Sequence, residues 1–63
     1  MNIKLLRIKK GLTQEELSKD LGIARQTLIK VEKGDFSALN YEKILRIMTF
    51  FNKSFEELFL SEN

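Results

Sequence analysis

The chain has no cysteine, histidine, proline or tryptophan, and only three glycines in 63 residues. Without cysteine there are no disulfides, and without cysteine or histidine there is no zinc site of the usual ligand types. The same absences remove a thiolate nucleophile and an imidazole base, two common groups of nucleophilic and proton-transfer catalysis. No apolar run approaches the roughly 20 residues of a membrane span. The opening MNIKLLRIKKG sets isolated apolar pairs between charges, which is not the apolar stretch of a signal peptide. A cytoplasmic protein with no membrane partner is therefore expected. A chain this short buries only about 60% of the surface that its unfolded form exposes. With the staples gone it must rely on a tight apolar core, on self-association, or on both.

What is present is globular in composition, with 43% hydrophobic and 32% charged residues. Net charge is only +2, but it is unevenly placed. Residues 1–33 carry eight bases against four acids, a balance of +4, and residues 34–63 carry three bases against five acids, a balance of −2. An anionic partner would meet the first half.

Apolar positions recur at helical spacing in short blocks parted by turn residues, and strand-like alternation does not persist. The pattern predicts five helices. The first runs from about Asn2 to Lys10, capped by Asn2, with Ile3 and Leu6 on its inner face, and Gly11 stops it. Thr13 and Glu16 form a capping box that opens the second, Gln14 to about Leu21, which Gly22 ends. The third covers about Arg25 to Lys33 and ends at Gly34. Asn40 caps the fourth, Tyr41 to Phe51, with Ile44, Leu45, Met48 and Phe51 as its buried stripe and Asn52 as a left-handed end. A second capping box, Ser54 to Glu57, opens a short fifth helix through about Leu60. Such short helices are marginal alone, since isolated helices below about 12–15 residues barely form in water. They must pack on one another as a compact all-α domain spanning residues 1–63.

Residues 14–33 have a specific layout: a two-turn helix, a tight turn at Gly22, an apolar anchor at Ile23, then a second helix. Leu17, Leu21, Ile23, Leu28 and Val31 form the inward set, and small Ser18 faces the crossing point. Gly22 allows the positive φ that so sharp a turn requires. This is the pattern of a helix-turn-helix, whose second helix enters the DNA major groove.

The chain resembles the lambda-type repressor and Cro family, also called the xenobiotic-response-element family. The resemblance lies in Ile3-Lys4-Leu5-Leu6-Arg7, Lys10-Gly11-Leu12-Thr13-Gln14-Glu15-Glu16-Leu17, Leu21-Gly22-Ile23, Arg25-Gln26-Thr27-Leu28, Glu32-Lys33-Gly34 and Ser54-Phe55-Glu56-Glu57-Leu58-Phe59. It covers nearly the whole chain. It implies a five-helix, lambda-repressor-like domain that binds operator DNA as a dimer. It also implies that Gln14 holds a DNA phosphate, that Arg25, Gln26, Ile29 and Lys30 face the groove, and that Arg7 and Glu32 form an ion pair beneath the recognition helix.

The chemistry of these residues suits those places. Arg25 can chelate O6 and N7 of guanine, and Gln26 can pair with N6 and N7 of adenine. Lys30 lies one turn beyond Gln26, within reach of a guanine or a phosphate, and Ile29 lies one turn beyond Arg25, suited to a thymine methyl. Gln14 starts a helix, a natural phosphate seat. Thr27, Lys33, Lys9 and Lys10 are flanking phosphate candidates.

The sequence departs from the family at three places. Ala24 stands where Ser or Thr commonly caps the recognition helix. The loop 34–40 is about one residue longer than usual, lacks the frequent proline, and contains Phe36, which either plugs the core or awaits a partner. Leu5 and Ile8 replace frequent polar residues, and they either extend the core against the fifth helix or form a second patch.

Phe50, Phe51, Phe55, Phe59 and Leu60 are more apolar groups than one small globule easily buries, and an exposed patch marks an interface. A homodimer through about residues 50–60 is expected, with Phe50, Phe55, Phe59 and Leu60 at its interface. The expected function is a sequence-specific DNA-binding regulator, a repressor acting as a homodimer on palindromic double-stranded DNA. The alternative is an antitoxin-type module that holds a protein partner and binds DNA for autoregulation; an exposed Phe36 and Phe50 would favour it. No enzyme is expected, because Glu15, Glu16, Glu56 and Glu57 sit at helix starts rather than as a facing pair. No cofactor, metal or small-molecule ligand is expected.

Overall fold

Side chains that accept the first backbone N–H groups of a helix decide where most of the elements begin. The computed structural model describes residues 2–60. It holds α1 (Ile3–Lys9), α2 (Gln14–Leu21), α3 (Arg25–Glu32), α4 (Tyr41–Phe51) and a terminal π-helical turn (Glu56–Leu60), with no strand among the described residues. Asn2 Oδ1 accepts from the Leu5 amide at 3.2 Å, and Asn40 Oδ1 accepts from the Lys43 amide at 2.9 Å. At α2 the box is reciprocal: Glu16 N–H donates to Thr13 Oγ1 at 3.0 Å, and Thr13 N–H donates to Glu16 Oε1 at 2.9 Å. Ser54 and Glu57 repeat it ahead of the terminal turn, at 3.1 and 2.9 Å. The bonds from Ser54, first its amide and then its hydroxyl, hold the Glu57 carboxyl below the usual carboxylate range. A depressed acid stabilises the fold above its unfolded pKa, and that contribution is lost as pH falls through its folded value. The terminal turn therefore loosens on acidification.

The exception is α3. Ala24 takes the extended N-cap geometry, φ −68° and ψ 145°, but offers no side-chain acceptor. Ala24→Ser fits that backbone and should stabilise the domain by about 1 kcal/mol. In a domain of this size that raises the melting temperature by roughly 4–8 °C. An unchanged melting temperature in a calorimetric scan would show that the α3 amides are already satisfied.

The last turn of α2 is a Schellman motif. Gly22 N–H donates to Lys19 O at 3.1 Å, and Ile23 N–H donates to Ser18 O at 3.0 Å. Gly22 holds φ +69°, the left-handed region that a side chain disfavours. Asn52 ends α4 the same way, at φ +53°.

α2 packs on both α3 and α4, and α1 packs on α3. Leu17 of α2, Leu28 of α3 and Ile47 of α4 are fully buried at the centre. Ile3, Leu6, Leu21, Ile23, Val31, Phe51 and Leu58 complete the core. Buried Ser18 turns its hydroxyl to Glu15 O at 2.8 Å, so no polar atom is stranded at the crossing. The Cα radius of gyration is 10.3 Å, against about 10.6 Å expected for a folded chain of this length. No helix among the described residues is long and apolar enough to cross a membrane.

One sequence expectation needs correction. The buried stripe of α4 does not include Leu45, which is 40% exposed, and its central member is Ile47. At about 100° per residue, positions 44, 47, 48 and 51 share one face and 45 lies a quarter-turn away. The short fifth helix lies where expected and takes the form of a single π-helical turn. Helices α1 and α3 end at Lys9 and Glu32 with Lys10 and Lys33 as their C-caps, within a residue of the expected bounds.

Candidate nucleic-acid interface

The end of α3 is held from below by a buried charge network. Arg7 Nε donates to Glu32 Oε2 at 2.7 Å and Arg7 Nη2 to Glu32 Oε1 at 3.3 Å, the bidentate geometry natural to a guanidinium and a carboxylate. The third donor, Nη1, reaches Leu12 O at 2.8 Å, in the segment between α1 and α2. Gln14 Nε2 donates to Glu32 Oε1 at 3.0 Å. The two charged side chains are 11% and 4% exposed, so the pair lies largely out of water. Four residues from α1, the following segment, α2 and α3 are thereby tied at one point.

This network shapes the outer face electrostatically. Glu32 is the only acid between Ala24 and Gly34. Arg7 covers it on the inside, so the exposed side of α3 presents Arg25, Gln26 and Lys30, with Lys33 just beyond, all exposed. Among the described residues, neither Arg25, Lys30 nor Lys33 is in a salt bridge. The next acid along the chain after Glu32 is Asp35, whose carboxyl is held below its usual range by hydrogen bonds from Ser37 and more weakly by Lys30. Thr27 and Ile29 are half-buried, so each shows only part of its side chain to the face.

The other candidate residues are spread more widely. Gln14 is half-buried with its amide turned to Glu32, leaving a second N–H on the same nitrogen for an outside acceptor. Lys9 is exposed. Lys10 holds its ammonium over the Phe50 ring, 5.5 Å from the centroid, in cation–π contact.

The aromatic residues fall into two groups. Phe36 folds back edge-on against Phe59, with centroids 5.0 Å apart, and remains 38% exposed. Phe55 stacks on the same Phe59 at 5.0 Å. Beside them Leu60 is 63% exposed. Phe50 is separate: it meets Phe51 edge-on at 5.0 Å and lines an open groove between α2 and α4 with Leu45 and Thr49. Leu5 and Ile8 are about half exposed, so they form an apolar patch on α1 rather than part of the core.

Sequence reasoning missed one residue at the helix-turn-helix. Arg46 of α4 donates from Nη1 to Leu21 O at 3.3 Å and to Gly22 O at 3.1 Å, and from Nη2 to Glu42 Oε2 at 2.7 Å. The sequence carries only the Glu42–Arg46 spacing of a helical ion pair, which does not reveal a contact 24 residues away.

Comparison with known proteins agrees with this arrangement. A family model described as helix-turn-helix matches residues 3–58. An uncharacterized HTH-type transcriptional regulator of Methanocaldococcus jannaschii is 38% identical over 61 residues, covering 97% of this chain and 91% of the relative. One from Archaeoglobus fulgidus is 36% identical over 61 residues, covering 97% and 86%. One from Bacillus subtilis is 35% identical over 60 residues, covering 95% and 89%. No solved structure matches with significance. With its two-turn α2, left-handed Gly22 and exposed basic α3, the chain belongs to the helix-turn-helix family in its lambda repressor and Cro form.

Proposed function

We propose that the chain is a DNA-binding transcriptional regulator, a repressor that acts as a homodimer on a palindromic operator. The observation that carries this reading is the one-signed outer face of α3: its acid is withdrawn onto Arg7 while Arg25, Gln26 and Lys30 stay exposed. The relatives' names as transcriptional regulators support the same reading. Arg25 and Gln26, at the start of α3, reach base edges first, with Lys30 and the exposed part of Ile29 one turn behind. Gln14, Thr27, Lys9 and Lys33 supply phosphate contacts that set the register. Lys10, whose ammonium also rests over the Phe50 ring, is a further phosphate contact.

In the dimer, two α3 helices enter successive major grooves about 34 Å apart, and the bound protein represses by occlusion. Phe55, Phe59 and Leu60 form the pairing surface. Phe50, which also lines the groove between α2 and α4, joins them in the proposed interface. The antitoxin alternative calls for Phe36 and Phe50 open to a partner. Phe36 keeps 38% of its surface exposed although it packs on Phe59, while Phe50 is half-buried under Lys10, so only one of the two rings is exposed.

Selection of bound duplexes from a random pool tests the reading. A two-fold symmetric motif is expected, and its affinity should fall steeply with salt, with a logarithmic slope of about −0.9 per phosphate neutralised. Sedimentation of the free protein should show a dimer. A pool with no enriched sequence, or binding indifferent to salt, would contradict the proposal, and a lone monomer at micromolar concentration would remove the dimer from it.

A further inference from the structure

We infer that Arg46 is a positioning residue for the recognition helix, clamping the turn between α2 and α3 from α4. The inference rests on the DNA-binding reading above and deepens it. Of the carbonyls left over at the end of α2, the Schellman motif takes those of Ser18 and Lys19. Those of Leu21 and Gly22 lie beyond its reach, and one nitrogen of Arg46 donates to both, at 3.3 and 3.1 Å. The other terminal nitrogen is held by Glu42 at 2.7 Å, so the planar group is fixed from behind before it meets the turn. Its positive charge also faces the negative end of the α2 dipole.

Two further observations point to direction rather than bulk stability. The Arg46 side chain is 43% exposed and that of Glu42 72%, and exposed ion pairs stabilise a fold very little. The start of α3 has no side-chain cap at Ala24, so no local bond of that kind fixes how its first turn leaves the loop. Beyond the buried Ile23, the long-range tie on this turn is the Arg46 guanidinium. The fit is close: a Cβ added at Gly22 would stand 2.7 Å from Arg46 Nη1, so a side chain there, besides taking a disfavoured φ of +69°, would push the guanidinium off the turn. Arg25 and Gln26 follow within four residues of that contact. With the far end of α3 held through Glu32, a shift of the turn moves Arg25, Gln26 and the adjacent Thr27 more than Lys33 at the end of α3 or Gln14 and Lys9 on the elements before it.

The test compares Arg46→Met, Arg46→Lys and Glu42→Gln with the unaltered protein. Backbone amide exchange is read at residues 23–26, and affinity is read on the pool-selected duplex and on a scrambled one. In Arg46→Met, exchange at Ile23 should quicken several-fold while amides of Leu17 and Ile47 keep their rates. Affinity for the selected duplex should fall about tenfold, the size of one lost base contact. Affinity for the scrambled duplex should stay within about twofold, because phosphate contacts carry non-specific binding. Lysine keeps the charge but not the fork, so it should recover little of the preference. Glu42→Gln should move the same readouts in the same direction by less. Wild-type exchange and affinity in Arg46→Met, equal losses on both duplexes, or full recovery by lysine would each overturn the inference. If the unaltered protein enriches no duplex at all, the regulator reading falls, and the exchange rates alone decide whether the clamp exists.

Discussion

Glu32→Ala is expected to strip the domain of a large share of its stability. The substitution strands the Arg7 guanidinium, 11% exposed, with only the Leu12 carbonyl for a partner, and it removes the acceptor of Gln14. Removing one member of a buried pair costs about 3–5 kcal/mol, because the other charge stays out of water uncompensated. A chain of this length has roughly 3–9 kcal/mol of stability in total, so the loss takes a third or more of it. Urea unfolding followed by circular dichroism measures the effect. Replacing both members with apolar groups of similar size, Arg7→Met with Glu32→Leu, should restore most of the loss, because the penalty comes from the orphaned charge rather than from a missing attraction. A single-variant loss below about 1 kcal/mol would be the behaviour of a solvated pair. It would mean that the network does not hold α3 in solution.

Ile47→Ala should cost about 2–5 kcal/mol, the usual range for truncating a buried aliphatic side chain. Ile47 is fully buried, as are Leu17 and Leu28, so it stands where α4 meets the helix-turn-helix. Leu45→Ala on the same helix should shift stability by no more than about 0.5–1 kcal/mol, since that side chain is 40% exposed. The pair of measurements also fixes which face of α4 is turned inward. Equal losses at the two positions would contradict the packing described here.

Most of the fold was legible because its punctuation is local. Asn2, Thr13, Asn40 and Ser54 mark helix starts by their own acceptor chemistry, and Gly22 and Asn52 mark ends by tolerating positive φ. Such signals depend on residues within four positions of one another. The face of α4 was harder, because six of its eleven residues are apolar aliphatic or phenylalanine and several stripes can be drawn through them. Only packing against α2 selects the stripe through Ile47. Relations across the chain were legible only where the family resemblance supplied them. The resemblance implied a pairing of Arg7 with Glu32, whereas the share taken by Gln14 and the reach of Arg46 to Gly22 needed coordinates. Aromatic content marked Phe50, Phe55 and Phe59 as apolar groups for an interface but not their neighbours: Phe50 meets Phe51 and Lys10, and Phe55 meets Phe59.

The account turns on the first residues of α3 reading bases. The direct measurement is the affinity of Arg25→Ala, beside the unaltered protein, for the selected half-site and for each of its single base-pair changes. The account predicts a loss of about 1–3 kcal/mol on the selected sequence and a relaxed preference at one base pair of each half-site, with the other positions still discriminated. A uniform loss across every duplex would instead make Arg25 a phosphate contact, and base reading would have to come from elsewhere on the molecule.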